Sequence, residues 1–356
     1  MSVPESGFIY PDGGSLYYVD DGTATLYSIP RDPSDIGVSL TLDRGHLLAF
    51  EATVGTLVLV DTATGARTLG PQMHTASEAL RCAAVNPASG DTVYMATSSA
   101  ESGSTQLAAV LVDKTTLAAS AIPIDGRGAN ACAFSPDGSV LTVGYRTTTS
   151  FGTLVYAPAQ LVRQYMVADW SELSVPDADI RTALNLHTAS DANKGVGLVG
   201  YSPDGQSVWA GGRNLRAAIF SAADWSVEHL DTFSNADDYA YRWNDDGSRM
   251  ARLAADSGLS PRMFDVAGGV YTSDIGINAR AFVPRCEFIP GTRNLVTTDY
   301  FNDYGLGTLM VVDSDTGVLV RGLDGYSDVF IPIPVGAPPP APERFWTQRI
   351  RTQEII

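Results

Sequence analysis

One turn recurs along this chain, and its period restricts the fold more than any other feature. A short apolar strand, a Pro/Asp/Gly turn and a second apolar strand occur in Ala133-Phe134-Ser135-Pro136-Asp137-Gly138 before Val140-Leu141-Thr142-Val143. The same pattern occurs in Gly200-Tyr201-Ser202-Pro203-Asp204-Gly205 before Val208-Trp209-Ala210. Looser copies lie at Ile9–Gly13, Thr41–Gly45, Val85–Gly90, Trp243–Gly247 and Phe288–Gly291. Proline presets φ for a turn, aspartate bonds back to nearby backbone, and glycine takes the positive φ that closes a tight hairpin. The turn glycines Gly13, Gly45, Gly90, Gly138, Gly205, Gly247 and Gly291 are spaced by 32, 45, 48, 67, 42 and 44 residues. A period of about 40–50 residues is that of a four-stranded propeller blade. Seven copies predict an all-β, seven-bladed β-propeller with four-stranded antiparallel blades over residues 1–336. A C-terminal extended arm follows at 337–356.

A second signature lies downstream of the first. Val58-Leu59-Val60-Asp61-Thr62-Ala63-Thr64-Gly65 matches Met310-Val311-Val312-Asp313-Ser314-Asp315-Thr316-Gly317, with a weaker copy at Leu111–Thr116. Ala168-Asp169-Trp170-Ser171 and Ala223-Asp224-Trp225-Ser226 hold the same register in blades four and five. These read as hairpins between third and fourth strands. Asp313-x-Asp315 begins like a calcium loop but lacks the glutamate that completes one, so no metal is expected there. The Ser-Pro-Asp-Gly and Val-Asp-x-x-Thr-Gly turns resemble those of WD40-like and YVTN-type β-propellers over residues 8–325. That resemblance implies the fold and no particular activity, because the family ranges from scaffolds to lactonases.

Blade one is too short for four strands. The apolar segment Val329–Val335 is expected to supply its missing edge strand, where proline is tolerated. Such pairing would close the ring and remove an exposed edge.

Charge and motifs then narrow the function. The chain carries 40 acidic and 23 basic residues, a net charge of −17. A body this acidic repels phosphate, which argues against general nucleic-acid or anionic-membrane binding. No run approaches the ~18 apolar residues of a membrane span. Met1–Ser6 lacks a basic-then-apolar pattern, so synthesis in the cytoplasm without a signal peptide is expected. Cys82, Cys132 and Cys286 are odd in number and widely spaced, neither a disulfide framework nor a zinc pattern. No nucleophile elbow, phosphate-cradling loop or paired-histidine motif is present. His46, His74, His187 and His229 are isolated, and the acidic pairs sit at turns. No catalytic residue, metal ligand or cofactor is assigned.

Length and composition point instead to contact surfaces. Blade four carries extra chain at 147–161 and 176–195, expected on one face, with Asp177 as cap of a helical turn. Asp177, Asp179 and Arg181 are candidate contacts there, as are Tyr300, Phe301, Asn302, Asp303 and Tyr304 in blade seven. Gly336–Pro342 reads as a stiff extended spacer. Beyond it, Glu343–Ile356 has three arginines against two glutamates, a net +1 on a body of −18. Phe345, Trp346, Arg349, Ile350, Arg351, Ile355 and Ile356 are of the types that dominate interfaces. The leading expectation is a non-enzymatic interaction or assembly module. Its partners would be other proteins in a larger particle, such as a bacteriophage virion or tail, gripped by the arm and the long-loop face. The alternatives are a lactonase-like or metal-dependent propeller hydrolase and a carbohydrate- or receptor-binding propeller.

Overall fold

The computed structural model describes residues 6–20, 24–33, 35–41, 44–51, 55–73, 78–98, 108–126, 128–145, 149–151, 154–156, 160–185, 195–212, 217–231, 239–254, 262–266, 270–274, 286–299, 308–323 and 331–333. Seven four-stranded antiparallel sheets make the blades of a propeller.

Blade one holds β1 (Gly7–Asp12), β2 (Ser15–Asp20) and β3 (Thr25–Pro30). Blade two is β4 (Asp35–Leu40), β5 (His46–Glu51), β6 (Thr56–Asp61) and β7 (Arg67–Gln72). Blade three is β8 (Glu78–Val85), β9 (Thr92–Ser98), β10 (Ala108–Val112) and β11 (Ala119–Asp125). Blade four begins with β12 (Ala129–Phe134) and β13 (Val140–Tyr145), and a separate hairpin of β14 (Thr149–Phe151) and β15 (Leu154–Tyr156) interrupts it. It resumes with β16 (Val162–Met166) and β17 (Glu172–Leu173), followed by the helix α1 (Asp177–Ala183). Blade five is β18 (Leu198–Tyr201), β19 (Ser207–Gly211), β20 (Ala217–Ser221) and β21 (Val227–Asp231). Blade six is β22 (Tyr239–Trp243), β23 (Arg249–Ala254), β24 (Arg262–Asp265) and β25 (Val270–Asp274). Blade seven is β26 (Cys286–Phe288), β27 (Asn294–Asp299), β28 (Thr308–Asp313) and β29 (Leu319–Leu323). The last strand, β30 (Ile331–Ile333), returns to blade one.

Blades stack face to face, so their middle strands are buried on both sides and read as continuous apolar runs. Leu47, Leu48, Ala49 and Phe50 of β5 are all buried, whereas Arg67, Thr68 and Leu69 of the outer β7 are exposed. The core is therefore divided among the seams between blades. Tyr18, Ile29, Leu40, Leu47, Val60 and Ile333 fill the first seam; Phe8, Tyr10, Val19, Val296 and Leu309 fill the last. Each fully buried side chain of this size contributes about 1.5–3 kcal/mol of burial free energy. Cys82 and Cys132 meet between blades three and four, where burial pushes the Cys132 thiol well up.

β30 pairs antiparallel with β1 in the register Gly7↔Ile333, Phe8↔Pro332 and Ile9↔Ile331. It also packs beside β4 and β26, the first strands of its neighbours, and so occupies the innermost position of blade one. The expected closing strand forms, and one detail of the repeat changes with it. With β30 innermost, the turn at Gly13 joins the second and third strands of its sheet, while the other six turn glycines join the first and second. A Pro-Asp-Gly turn is a hairpin signal and does not encode which hairpin of the blade it closes. A second correction concerns Gly45. The left-handed residue of that turn is Arg44, at φ 56°, whereas Gly90, Gly138, Gly205, Gly247 and Gly291 hold φ between 72° and 80°.

The strand directions fix which end of the ring each connection occupies. β3 runs into β4 through residues 31–34, so the end of β3 and the start of β4 share a face. Alternation across blade one then makes β30 parallel to β4. Ile333 therefore ends on the face that carries the first-to-second and third-to-fourth strand turns. Gly7, opposite Ile333, starts on that same face.

The third-to-fourth strand turns show how residue choice is offset by packing. Blades two and seven place Gly65 and Gly317 at positive φ, whereas blades four and five place Trp170 and Trp225 there, at 60° and 61°. A bulky residue in the left-handed region carries a cost of order 1–3 kcal/mol. At Trp225 the indole is buried and its Nε1–H donates to Gln164 Oε1 at 3.3 Å. Gln164 Nε2 donates in turn to Thr142 Oγ1 at 3.1 Å and to the Tyr201 hydroxyl at 2.9 Å. Burial pushes the Tyr201 phenol up to about 12, so it keeps its proton at neutral pH. Gln164→Leu leaves the buried Trp225 indole N–H without its acceptor and removes one bond each from Thr142 and Tyr201, which keep the hydrogen bond between their hydroxyls at 2.5 Å. The expected loss is about 1–3 kcal/mol, read as a lower urea midpoint at unchanged slope.

Candidate functional site

The turn face is built by hydrogen bonds that recur from blade to blade, most alike in blades four and five. Ser135 Oγ donates to Asp137 Oδ1 at 2.6 Å and accepts Val140 N–H at 2.9 Å; Ser202 and Asp204 reproduce this with Ser207. Neighbouring turns interlock, as where Asn86 Nδ2 donates to Gly138 O at 2.9 Å and Gly291 N–H donates to Asp245.

Between blades six and seven this face opens into a cavity of about 420 Å³. Asn244, Asp245, Asp246, Ser248 and Arg249 line one side, and Thr292, Arg293, Ser314 and Asp315 the other. Arg249 and Arg293 both pair with Asp315, Arg293 Nη1 at 2.7 Å. The Arg293 side chain remains 78% exposed. Two guanidinium groups, three carboxylates and three hydroxyls give a surface of mixed donors and acceptors, suited to hydrogen-bonding a polar group. The sequence carries a signal for it that the turn repeat alone does not reveal. The residue two places after the turn glycine is Ser15, Leu47, Thr92, Val140 and Ser207 in blades one to five, but arginine in blades six and seven.

The Asp313-x-Asp315 segment is committed elsewhere. Asp313 Oδ1 accepts the N–H groups of Asp315 and Thr316 and the Thr316 hydroxyl, each at 2.9 Å, and Asp315 holds the two arginines. No group of three or more His, Cys, Asp or Glu placed to hold a metal occurs among the described residues.

Turn carboxylates of this kind couple the fold to pH. The Thr64 hydroxyl and backbone hold Asp61 below the usual carboxylate range, and Thr116 does so for Asp113, Ser171 for Asp169 and Ser226 for Asp224. A depressed folded value adds stability that is present above the unfolded value, about 3.9, and is lost as pH falls through the folded one. A urea midpoint that is flat from pH 7 to 5 and falls steadily below about 4 is expected.

The opposite face carries the extra chain of blade four. The β14–β15 hairpin lies in its second-to-third strand connection and α1 in its connection to blade five, so both share that side as expected. Leu161, Val175, Ile180, Leu184 and Val196 pack together beneath them. Asp177 does not cap α1: the N-cap is Pro176, without a side-chain hydrogen bond. The Asp177 carboxylate instead accepts Leu161 N–H at 2.7 Å and pairs with Arg181, binding the two insertions to each other. Asp179 is exposed. Tyr300, Phe301, Asn302, Asp303 and Tyr304 lie outside the described residues, as do Phe345, Trp346, Arg349, Ile350, Arg351, Ile355 and Ile356. No helix among the described residues is long and apolar enough to cross a membrane.

These features define the class: a seven-bladed β-propeller closed by its C-terminal strand. No family model and no curated protein sequence matches the chain. Among solved structures it is similar to an oligogalacturonate lyase in complex with manganese, at a TM-score of 0.60 and 14% identity, covering 83% of this chain and 81% of that one. It is also similar to Kuenenia stuttgartiensis hydrazine synthase, at a TM-score of 0.53 and 15% identity, covering 80% and 77%. At such identities the likeness concerns the fold alone, and the WD40-like and YVTN-type resemblance of the turns stays at that level.

Proposed function

We propose that this chain is a non-enzymatic propeller module that fixes itself into a larger protein assembly by its C-terminal arm. A bacteriophage virion or tail is the kind of particle that suits it. The observation that carries this reading is the pairing of Gly7 with Ile333. It completes the ring at Ile333, which ends beside the ring axis on the turn face, and the seven four-stranded sheets are complete without the arm. The arm's net +1 is complementary to a body of −18. The joined insertions of blade four occupy the opposite face, leaving a second surface for a further partner.

The test compares the full chain with one ending at Gly336, each mixed with its candidate particle and followed by mass in solution. Entry of the full chain alone supports a docking arm. Equal behaviour of the two removes the basis of this reading.

A further inference from the structure

Two of the three cysteines face each other across one seam of the ring. In β8, Ala83 and Val85 turn toward blade two, while Cys82 and Ala84 turn toward blade four. In β12, Ala131 and Ala133 turn toward blade five, while Cys132 and Phe134 turn toward blade three. Strand alternation therefore sets both thiols in the same seam. Both residues are 0% exposed, and the Cys82 thiol lies in hydrogen-bonding contact with that of Cys132. Facing sheets ordinarily stand about 10 Å apart, whereas the Cα atoms of a disulfide are about 4.4–6.8 Å apart. Here the two innermost strands pack directly on each other, and the residues flanking the thiols, Ala83, Ala84, Ala131 and Ala133, are small enough to allow it. Cys286 is equally buried, but between blades six and seven and with no second cysteine beside it.

We infer that Cys82 and Cys132 are a redox pair that a small disulfide converts to a disulfide, latching blade three to blade four. One of the two, as thiolate, attacks a sulfur of the small disulfide and expels the other as a thiolate, which takes up a proton. The second cysteine loses its proton to solvent, attacks the Sγ of the first and expels the remaining small thiolate. Two protein thiols are oxidised and one small disulfide is reduced to two thiols. Burial holds the Cys132 thiol well above its ordinary value, so the closed seam is inert and the reaction follows its opening. The link spans roughly one blade of chain and restricts the unfolded state, so the linked ring is the more stable form. The latch is independent of the C-terminal arm.

Peptide mapping of the full chain decides it. The protein is held just below its melting transition with oxidised glutathione, alkylated in urea and digested without reduction. A peptide pair joined through Cys82 and Cys132 is expected, with Cys286 alkylated or carrying glutathione. The urea midpoint should rise on oxidation and return with dithiothreitol. Cys132→Ala should give neither the link nor the rise, and Cys286→Ala should keep both; the wild-type map stands whether or not either variant folds. Links that include Cys286 as often as the other two would show oxidation of the unfolded chain and overturn the inference. Cys82 and Cys132 still unlinked once Cys286 has reacted, or a linked chain with a lower midpoint than the reduced one, would do the same.

Discussion

A chain ending at Asp328 is expected to lose the single cooperative unfolding transition that a chain ending at Gly336 retains. The two differ by the eight residues that contain β30, the innermost strand of blade one. Without it, blade one keeps three strands, the inner edge of β1 is unpaired, and Ile333 no longer fills the seam it shares with Tyr18, Leu40 and Leu47. Ile9 and Phe8, now 0% and 1% exposed, would border an open gap. A ring interrupted at one seam unfolds from that seam, so the transition should broaden and its urea slope fall. Superimposable melts for the two chains would show that blade one does not depend on its C-terminal strand.

Glu287→Ala is expected to be among the most damaging single substitutions. Arg242 on β22 donates from Nε to Glu287 Oε1 on β26 at 2.7 Å, joining the innermost strands of blades six and seven. Their side chains are only 12% and 7% exposed. Removing the carboxylate takes the ion-pair partner from a largely buried guanidinium, a loss of about 3–5 kcal/mol. Removing both charges should cost much less, because no uncompensated charge remains. The double variant Arg242→Met/Glu287→Leu is therefore expected to lie closer to wild type than Glu287→Ala does. Additive losses in that cycle would contradict the coupling.

The fold was legible because its information is local. Ser135-Pro136-Asp137-Gly138 and Asp313-Ser314-Asp315-Thr316-Gly317 satisfy their own backbone within five residues, so the turn chemistry appears as a motif. Closure by Ile331–Ile333 was readable from an apolar segment left over after seven blades, together with a first blade that lacked a strand. The innermost placement of that strand was not readable, since the Gly13 turn looks the same whichever hairpin it closes. Arg44 took the left-handed position from Gly45 for the same reason: the motif names a turn without fixing its φ angles. The sites were less legible because their partners are far apart in the chain. Gln164 and Trp225 are separated by 61 residues and Arg242 and Glu287 by 45, approximately one blade in either case. Asp177 reads as a helix cap locally and proves to hold Leu161, 16 residues earlier.

Hydrogen exchange at Ile9, Ile331 and Ile333 tests the closed ring most directly. If β30 is an integral strand, these amides should open only with global unfolding, with the same protection as Cys132 and Val143 in the middle of blade four. Exchange of Ile331 and Ile333 at rates typical of exposed backbone, with β1 unprotected on its inner edge, would contradict closure by the C-terminal strand and with it the origin assigned to the arm.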